Sequence, residues 1–276
     1  VKHAPRKRFG QHFLTDASVL AAIVDAIAPR PGDRIVEIGP GLGALTGWLL
    51  QRTDSLDAVE IDRDLVARLR RRWPEPTLRV HEGDALSFDF AALAGDGRLR
   101  LVGNLPYNIS SPLLIRLLDF RPIVSDQHFM LQKEVVDRIV SSHGVAAFGR
   151  LSVMLQAFNR VEQLFDVPPE AFDPPPKVQS SVVRLQPLAE PLARDVRMLE
   201  RLLSVAFNQR RKMLRGTLLP WLRAQGVDPE DPRFGLAPTA RPEEIPVVQW
   251  GRVADAMLDA AVAARPAATP DPVPGA

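Results

Sequence analysis

Asn104-Leu105-Pro106-Tyr107 follows a short apolar run ending in Val102-Gly103 and precedes a helical stretch, Pro112–Asp119. The exocyclic N6 amine of adenine is a poor nucleophile, because its lone pair is delocalised into the ring. Hydrogen-bond acceptors that hold the amine out of planarity restore its reactivity. The side-chain oxygen of Asn104 and the carbonyl of Leu105 or Pro106 can supply them, while proline stiffens the turn. Tyr107, the single tyrosine of the chain, offers a ring face against which a base can lie. Gly103, Asn108 and Ser110 flank this group and leave room for a first methyl beside the amine. A bland alternative is a proline turn with a capping Asn and a core aromatic.

A second set of residues suits a nucleotide-like cofactor. In Val36-Glu37-Ile38-Gly39-Pro40-Gly41-Leu42-Gly43-Ala44, a buried strand runs into a glycine turn and a helix. Glycine there lets the backbone approach a ligand near helix N-terminal amides. Gly39, Gly41 and Ala44 also satisfy the dinucleotide G-x-G-x-x-[GA] pattern, and Glu60 lies about 20 residues on, where a carboxylate accepts ribose hydroxyls. Glu82-Gly83-Asp84-Ala85 ends the next strand, and Asp84 either accepts from an adenine amino group or caps a turn. Carboxylates at two consecutive strand ends suit S-adenosylmethionine, although a nicotinamide cofactor fits the glycine turn and Glu60 equally well. Glu37 is a candidate for orienting the amino-acid portion of the cofactor or the loop.

These motifs need strand ends to position them. From about Asp16 to Leu185, helical periodicity alternates with short β-branched runs, which predicts a mainly parallel sheet flanked by helices. Expected strands are Arg34–Ile38, Leu56–Glu60, Leu78–Glu82, Leu99–Gly103, His128–Gln132 and Ser180–Gln186, with helices such as Ala17–Ala28 and Leu42–Gln51 between them. Composition shifts to proline and alanine around Pro187–Pro191, and only helical signals follow, including Met198–Gln209 and Val247–Ala264. The expected domains are therefore 1–189, with a basic N-terminal arm, and a helical 190–264. The aperiodic, proline-rich 265–276 is expected to be a disordered tail.

The 276 residues are 46% hydrophobic and 25% charged, an ordinary globular composition. No apolar run reaches the roughly 18 to 20 residues of a membrane span, and the basic start lacks the apolar core of a signal peptide, so a cytoplasmic protein is expected. The absence of cysteine excludes disulfides, thiolate catalysis and cysteine-ligated metals, and the five histidines show no metal-ligand spacing. A net charge of only +2 conceals two basic clusters, Lys2, Arg6, Lys7 and Arg8 at the start and Arg210, Arg211, Lys212 and Arg215 later, which suggest a polyanion partner. A third run, Arg68 to Arg72, reads as a solvated helix face.

Taken in order, Lys7-Arg8-Phe9-Gly10-Gln11-His12-Phe13-Leu14, the glycine motif, Glu60, Gly83-Asp84-Ala85, Asn104-Leu105-Pro106-Tyr107, Phe172-Asp173-Pro174-Pro175-Pro176-Lys177-Val178-Gln179-Ser180 and Ala206-Phe207-Asn208-Gln209-Arg210-Arg211-Lys212 resemble the bacterial small-subunit rRNA adenine N6-dimethyltransferases over about residues 6 to 260. The resemblance implies an α/β fold, a Rossmann-like class I methyltransferase sheet with flanking helices, plus a small all-helical C-terminal domain that binds RNA. It implies S-adenosyl-L-methionine as cofactor, no metal, and dimethylation of two adjacent adenosines near the 3′ end of 16S rRNA in a pre-30S particle, by a monomer. Carried over by position, His12 and Leu14 line the cofactor pocket, by side chain or backbone at His12, where many relatives carry Asn. Gly39 and Gly41 meet the methionine portion, Glu60 the ribose, Asp84 the adenine, and Asn104 both cofactor and target amine. Phe172 falls where the family has an aromatic near the flipped base, or else is core; Lys177 touches phosphate or caps its loop. With Lys177, the RNA-binding set is Arg6, Lys7, Arg8, Arg210, Arg211 and Lys212. Three alternatives stay open: the large-subunit rRNA methyltransferases of macrolide resistance, the nucleic-acid-binding transcription factors of the same superfamily, and a nicotinamide oxidoreductase. The run Gln209 to Lys212 and the prolines after Asp173 weigh against the first.

Overall fold

A computed structural model of the chain describes residues 12–264. The basic residues Arg6, Lys7 and Arg8 and the expected tail 265–276 lie outside the described residues. In chain order the elements are β1 (Phe13–Leu14), α1 (Ala17–Ile27), β2 (Arg34–Ile38), α2 (Ala44–Leu49), β3 (Leu56–Glu60), α3 (Arg63–Arg72), β4 (Leu78–Glu82), α4 (Ala91–Ala94), β5 (Leu99–Asn104), α5 (Ser110–Leu117), β6 (Val124–Gln132), α6 (Lys133–Val140), α7 (Arg150–Gln156), β7 (Asn159–Val167), β8 (Phe172–Asp173) and β9 (Ser180–Pro187). Three helices follow: α8 (Val196–Asn208), α9 (Leu218–Ala224) and α10 (Val247–Ala263). The described residues divide into two compact units, with the boundary in the chain between Pro191 and Leu192.

Seven strands of the first unit form one sheet in the order β4-β3-β2-β5-β6-β9-β7. The first five run parallel, β9 runs antiparallel to β6, and β7 runs antiparallel to β9. Helices on both faces force the central strands to be apolar on both sides. Ile35, Val36 and Ile38 of β2 and Leu99, Leu101 and Val102 of β5 are accordingly at most 2% exposed. Arg100 ties the lower end together, pairing with Asp33 and Asp126 and donating to the carbonyls of Ile27 and Ala28 at the end of α1. Its partners explain why β6 begins at Val124, earlier than its apolar run: the polar Asp126 is held inside the sheet by this guanidinium. Helix α2 starts two residues later than its apolar pattern predicts, because Gly43 at its N-cap has φ +79°, outside the helical region. A side chain at Gly43 would also meet the Trp73 ring, so this third glycine serves packing.

The edge strand β7 has no counterpart in the sequence reading. Most of its residues are half-buried, and a register shift between Gln163 and Phe165 interrupts the alternation that would reveal it. Strand β1 pairs with β8 through Leu14 and Phe172 and lays the start of the described chain across the first unit. In the second unit Trp250 is fully buried and packs with Phe207, ring centroids 5.9 Å apart. Among the described residues no helix is long and apolar enough to cross a membrane, and no cluster of side chains could hold a metal ion.

Candidate active site

Parallel strands present their C-terminal ends on one side of a sheet, and a cavity of about 530 Å³ lies there. His12, Leu14, Gly39, Gly41, Glu60, Asp84, Asn104, Leu105, Pro106 and Tyr107, drawn from five separate motifs, all line it. Gly39 and Gly41 have φ of +69° and +58°, which only glycine adopts without strain, and they bring the β2 turn close to the space between strands.

Glu60, at the end of β3, is 5% exposed. Its Oε1 accepts from the Asp62 amide at 2.9 Å and its Oε2 from the Gly41 amide at 3.2 Å, so the carboxylate fixes the glycine turn as well as facing the cavity. Burial raises its pKa against these backbone hydrogen bonds. At the end of β4, Asp84 Oδ1 accepts from the Leu86 amide at 2.9 Å, which makes it a turn cap. Its second oxygen is left for a ligand, so capping and binding are compatible. The acidic pair, the glycine cradle and the volume fit a nucleoside cofactor.

Glu37, on β2 just before the glycine turn, is 1% exposed and accepts from Thr46 Oγ1 at 2.6 Å. Burial pushes its carboxyl up to about 7, over the lowering effect of the Thr46 hydrogen bond and with a contribution from the Glu60 charge. The folded state therefore holds the extra proton between the model-compound value of 4.5 and about 7, and stability falls as pH rises through that window. Glu37→Gln removes this slope. Relative to wild type, the variant is expected to gain about 2 to 3 kcal/mol between pH 5 and pH 8 in denaturant unfolding. A wild-type-minus-variant difference that is flat with pH would contradict this.

In the turn after β5, Asn104 Nδ2 donates to the His12 carbonyl at 3.2 Å. A carbonyl can only accept, so the amide orientation is determined and Asn104 Oδ1 is left as an acceptor. The Pro106 carbonyl closes the turn on the Ile109 amide at 3.2 Å, which assigns the free main-chain acceptor beside Asn104 to Leu105. The Leu105 amide donates to the Met130 carbonyl and ties the turn to β6. Tyr107 is held by a 2.9 Å hydrogen bond between its hydroxyl and Ser180 Oγ. The His12 ring bonds the Pro174 carbonyl at 2.8 Å and stacks on Tyr107 at 5.8 Å, so its side chain braces the loops while its backbone meets Asn104.

Three expectations are corrected. Phe172 is not among the residues lining the cavity: it is 4% exposed and lies in the core cluster with Leu14, which favours the core reading of the two. Gly103 does not reserve space for a methyl, because a Cβ on it would collide with the main-chain oxygen of Ile38; the glycine lets β5 close on β2. Arg210 is not a free cation, since its Nε donates to Glu243 Oε2 at 2.6 Å within the second unit. Arg211, Lys212 and Lys177 are exposed. Arg68 and Arg72, read as a solvated face, both line the cavity; their i,i+4 spacing on α3 puts them on one face, a signal available in the sequence. Ile61, 47% exposed beside Glu60, also lines it and was not foreseen.

The family model for ribosomal RNA adenine dimethylase matches residues 2–257. The ribosomal RNA small subunit methyltransferase A of Bordetella pertussis is 58% identical over 260 residues, 94% of this chain and 96% of that protein. Its counterpart in Leptothrix cholodnii is 57% identical over 252 residues, 91% of each. Among solved structures, a dimethyladenosine transferase from Plasmodium falciparum superposes with a TM-score of 0.75 at 25% identity, covering 88% of this chain and 96% of that one. The 23S rRNA methyltransferase ErmE superposes with a TM-score of 0.67, also at 25% identity, covering 89% and 99%. With the glycine turn, the paired carboxylates and the Asn104 loop assembled around one cavity in a sheet of this order, the chain belongs to the ribosomal RNA adenine dimethylase family.

Proposed function

We propose that this protein is an S-adenosylmethionine-dependent methyltransferase that places two methyl groups on N6 of each of two adjacent adenosines near the 3′ end of 16S rRNA, acting as a monomer on a partly assembled small subunit. The observation that carries the reading is the fixed orientation of Asn104. Its Nδ2 is committed to the His12 carbonyl, which leaves Oδ1 as one acceptor for the amine, and we assign the second to the main-chain carbonyl of Leu105, which also lines the cavity. The relatives named for the small subunit, more than half identical along nearly the whole chain, support the 16S substrate over the large-subunit alternative.

When bound, S-adenosylmethionine supplies an electrophilic methyl group. The protein's part is positioning. Glu60 and Asp84 hold the nucleoside end, and Gly39 and Gly41 allow close approach at the middle. The target adenine leaves its stack and lies against Tyr107. Asn104 Oδ1 and the Leu105 carbonyl take its N–H groups, pull the amine from planarity and aim its lone pair at the methyl. The methylated nitrogen is cationic and acidic, and loses its proton to water or a carbonyl without a dedicated base. In the second round one N–H is left, and one acceptor suffices to hold it.

RNA binding falls to the basic arm before His12, to the exposed Lys177 and to Arg211 and Lys212 of the helical unit. Neutralising Arg211 and Lys212 together should reduce the log–log salt slope of particle binding by roughly 1.4 to 1.8, at about 0.7 to 0.9 per phosphate contact, with cofactor affinity unchanged. An unaltered slope in filter binding would return these cations to solvated surface. The proposal as a whole is tested by incubating the protein and labelled cofactor with unmodified small and large subunits. Label is expected in 16S rRNA alone, and label confined to 23S rRNA would overturn the assignment.

A further inference from the structure

His128 is 3% exposed, and among the described residues neither of its ring nitrogens has a hydrogen-bond partner. Asp126 Oδ1 lies 3.9 Å from Nδ1, beyond hydrogen-bond reach. A buried polar group left unsatisfied is costly, and such groups are found where a ligand satisfies them. His128 also lines the cavity, among the apolar Ile23, Met130 and Val182.

Strand registers place it in a row. Glu37 is opposite Val102, Val102 opposite His128, and His128 opposite Arg184, so these side chains share one face of the sheet. Glu37 and His128 thus flank the buried Val102, two strand spacings or roughly 10 Å apart. One is a carboxyl and the other an imidazole that burial pulls down to about 4, with Arg100 and Arg184 lowering it further and Asp126 opposing them. At neutral pH the ring is uncharged, with one N–H donor and one acceptor.

The nucleoside end of the cavity is set by Glu60 on β3 and by Asp84 in the turn after β4. A ligand that starts there and runs along the sheet order crosses β2 and β5 before it reaches β6. Its far end in S-adenosylmethionine is a zwitterion, an ammonium beside a carboxylate. We propose that His128 binds the carboxylate of the cofactor's amino-acid end from the cavity floor, opposite Glu37, which takes the ammonium. This inference rests on the cofactor reading given above.

The test compares two ligands by calorimetry: S-adenosylhomocysteine, and 5′-deoxy-5′-methylthioadenosine, which keeps the nucleoside and thioether but lacks the amino-acid end. His128→Phe should weaken the first about tenfold and leave the second within about twofold, and His128→Gln, which keeps an N–H donor, should lose less. Equal losses for both ligands, or none for S-adenosylhomocysteine, would overturn the proposal. A readout that needs no variant is the pair of His128 ring nitrogen resonances in wild-type protein. They should move on adding S-adenosylhomocysteine and stay in place with methylthioadenosine; identical responses to the two ligands would again overturn it. Wild-type protein that binds neither ligand would overturn the cofactor reading itself, and this inference with it.

Discussion

Asn104→Ala is expected to lower methyl transfer at least about tenfold more than it lowers cofactor affinity, an extra loss of about 1.4 kcal/mol in the transition state. The variant removes one of the two acceptors proposed for the target amine and leaves Glu60, Asp84 and the glycine turn in place. It also removes the hydrogen bond to the His12 carbonyl, so part of the effect is a loosened β1. Asn104→Asp separates the two contributions. An aspartate keeps an acceptor for the amine but turns a second oxygen toward the His12 carbonyl, where lone pairs repel. Single-turnover rates combined with calorimetry decide it, and equal losses in rate and affinity would reduce Asn104 to a cofactor contact.

Glu60→Gln should weaken S-adenosylmethionine binding by roughly 1.5 to 3 kcal/mol. Both carboxylate oxygens of Glu60 already accept from main-chain amides, at Asp62 and Gly41. A glutamine must present its NH2 to one of those donors, so either the glycine turn at Gly41 or the start of α3 at Asp62 loses an anchor. Titration calorimetry of the folded variant measures the loss. Unchanged affinity would mean that the ribose carboxylate lies elsewhere.

Much of the fold was legible because buried parallel strands leave an unbroken apolar signal. Arg34–Ile38, Leu56–Glu60 and Leu78–Glu82 are read at their observed limits, since a glycine, a helix cap or a charged residue stops each one. Strand β7 was not, because an edge strand is half-exposed and its bulge breaks the period of two. The glycine turn, Glu60, Asp84 and the Asn104 loop were legible as short motifs, whereas Ile61, Arg68, Arg72 and His128, which also line the cavity, were not. What the sequence could not convey is where a residue's neighbours come from. Phe172 looks the same whether it faces a base or Leu14, and only the β1–β8 pairing decides. Arg210 looks like its neighbours Arg211 and Lys212 until Glu243, far along the chain, is seen to hold it. Gly103 reads as spare room until the Ile38 carbonyl is found in the place of its side chain. His128 lies inside an apolar strand and carries no motif; its significance comes from sharing a row with Glu37 across Val102.

Two acceptors around one amine, with one of them enough to hold a monomethylated nitrogen, imply that the reaction proceeds to two methyls per adenosine. Mass spectrometry of nuclease-digested 16S rRNA, after exhaustive reaction of unmodified small subunits with the wild-type protein, counts those methyls directly. The expected result is N6,N6-dimethyladenosine at two adjacent positions near the 3′ end; a product that stops at monomethyladenosine, or no methylated adenosine in 16S rRNA, would contradict it.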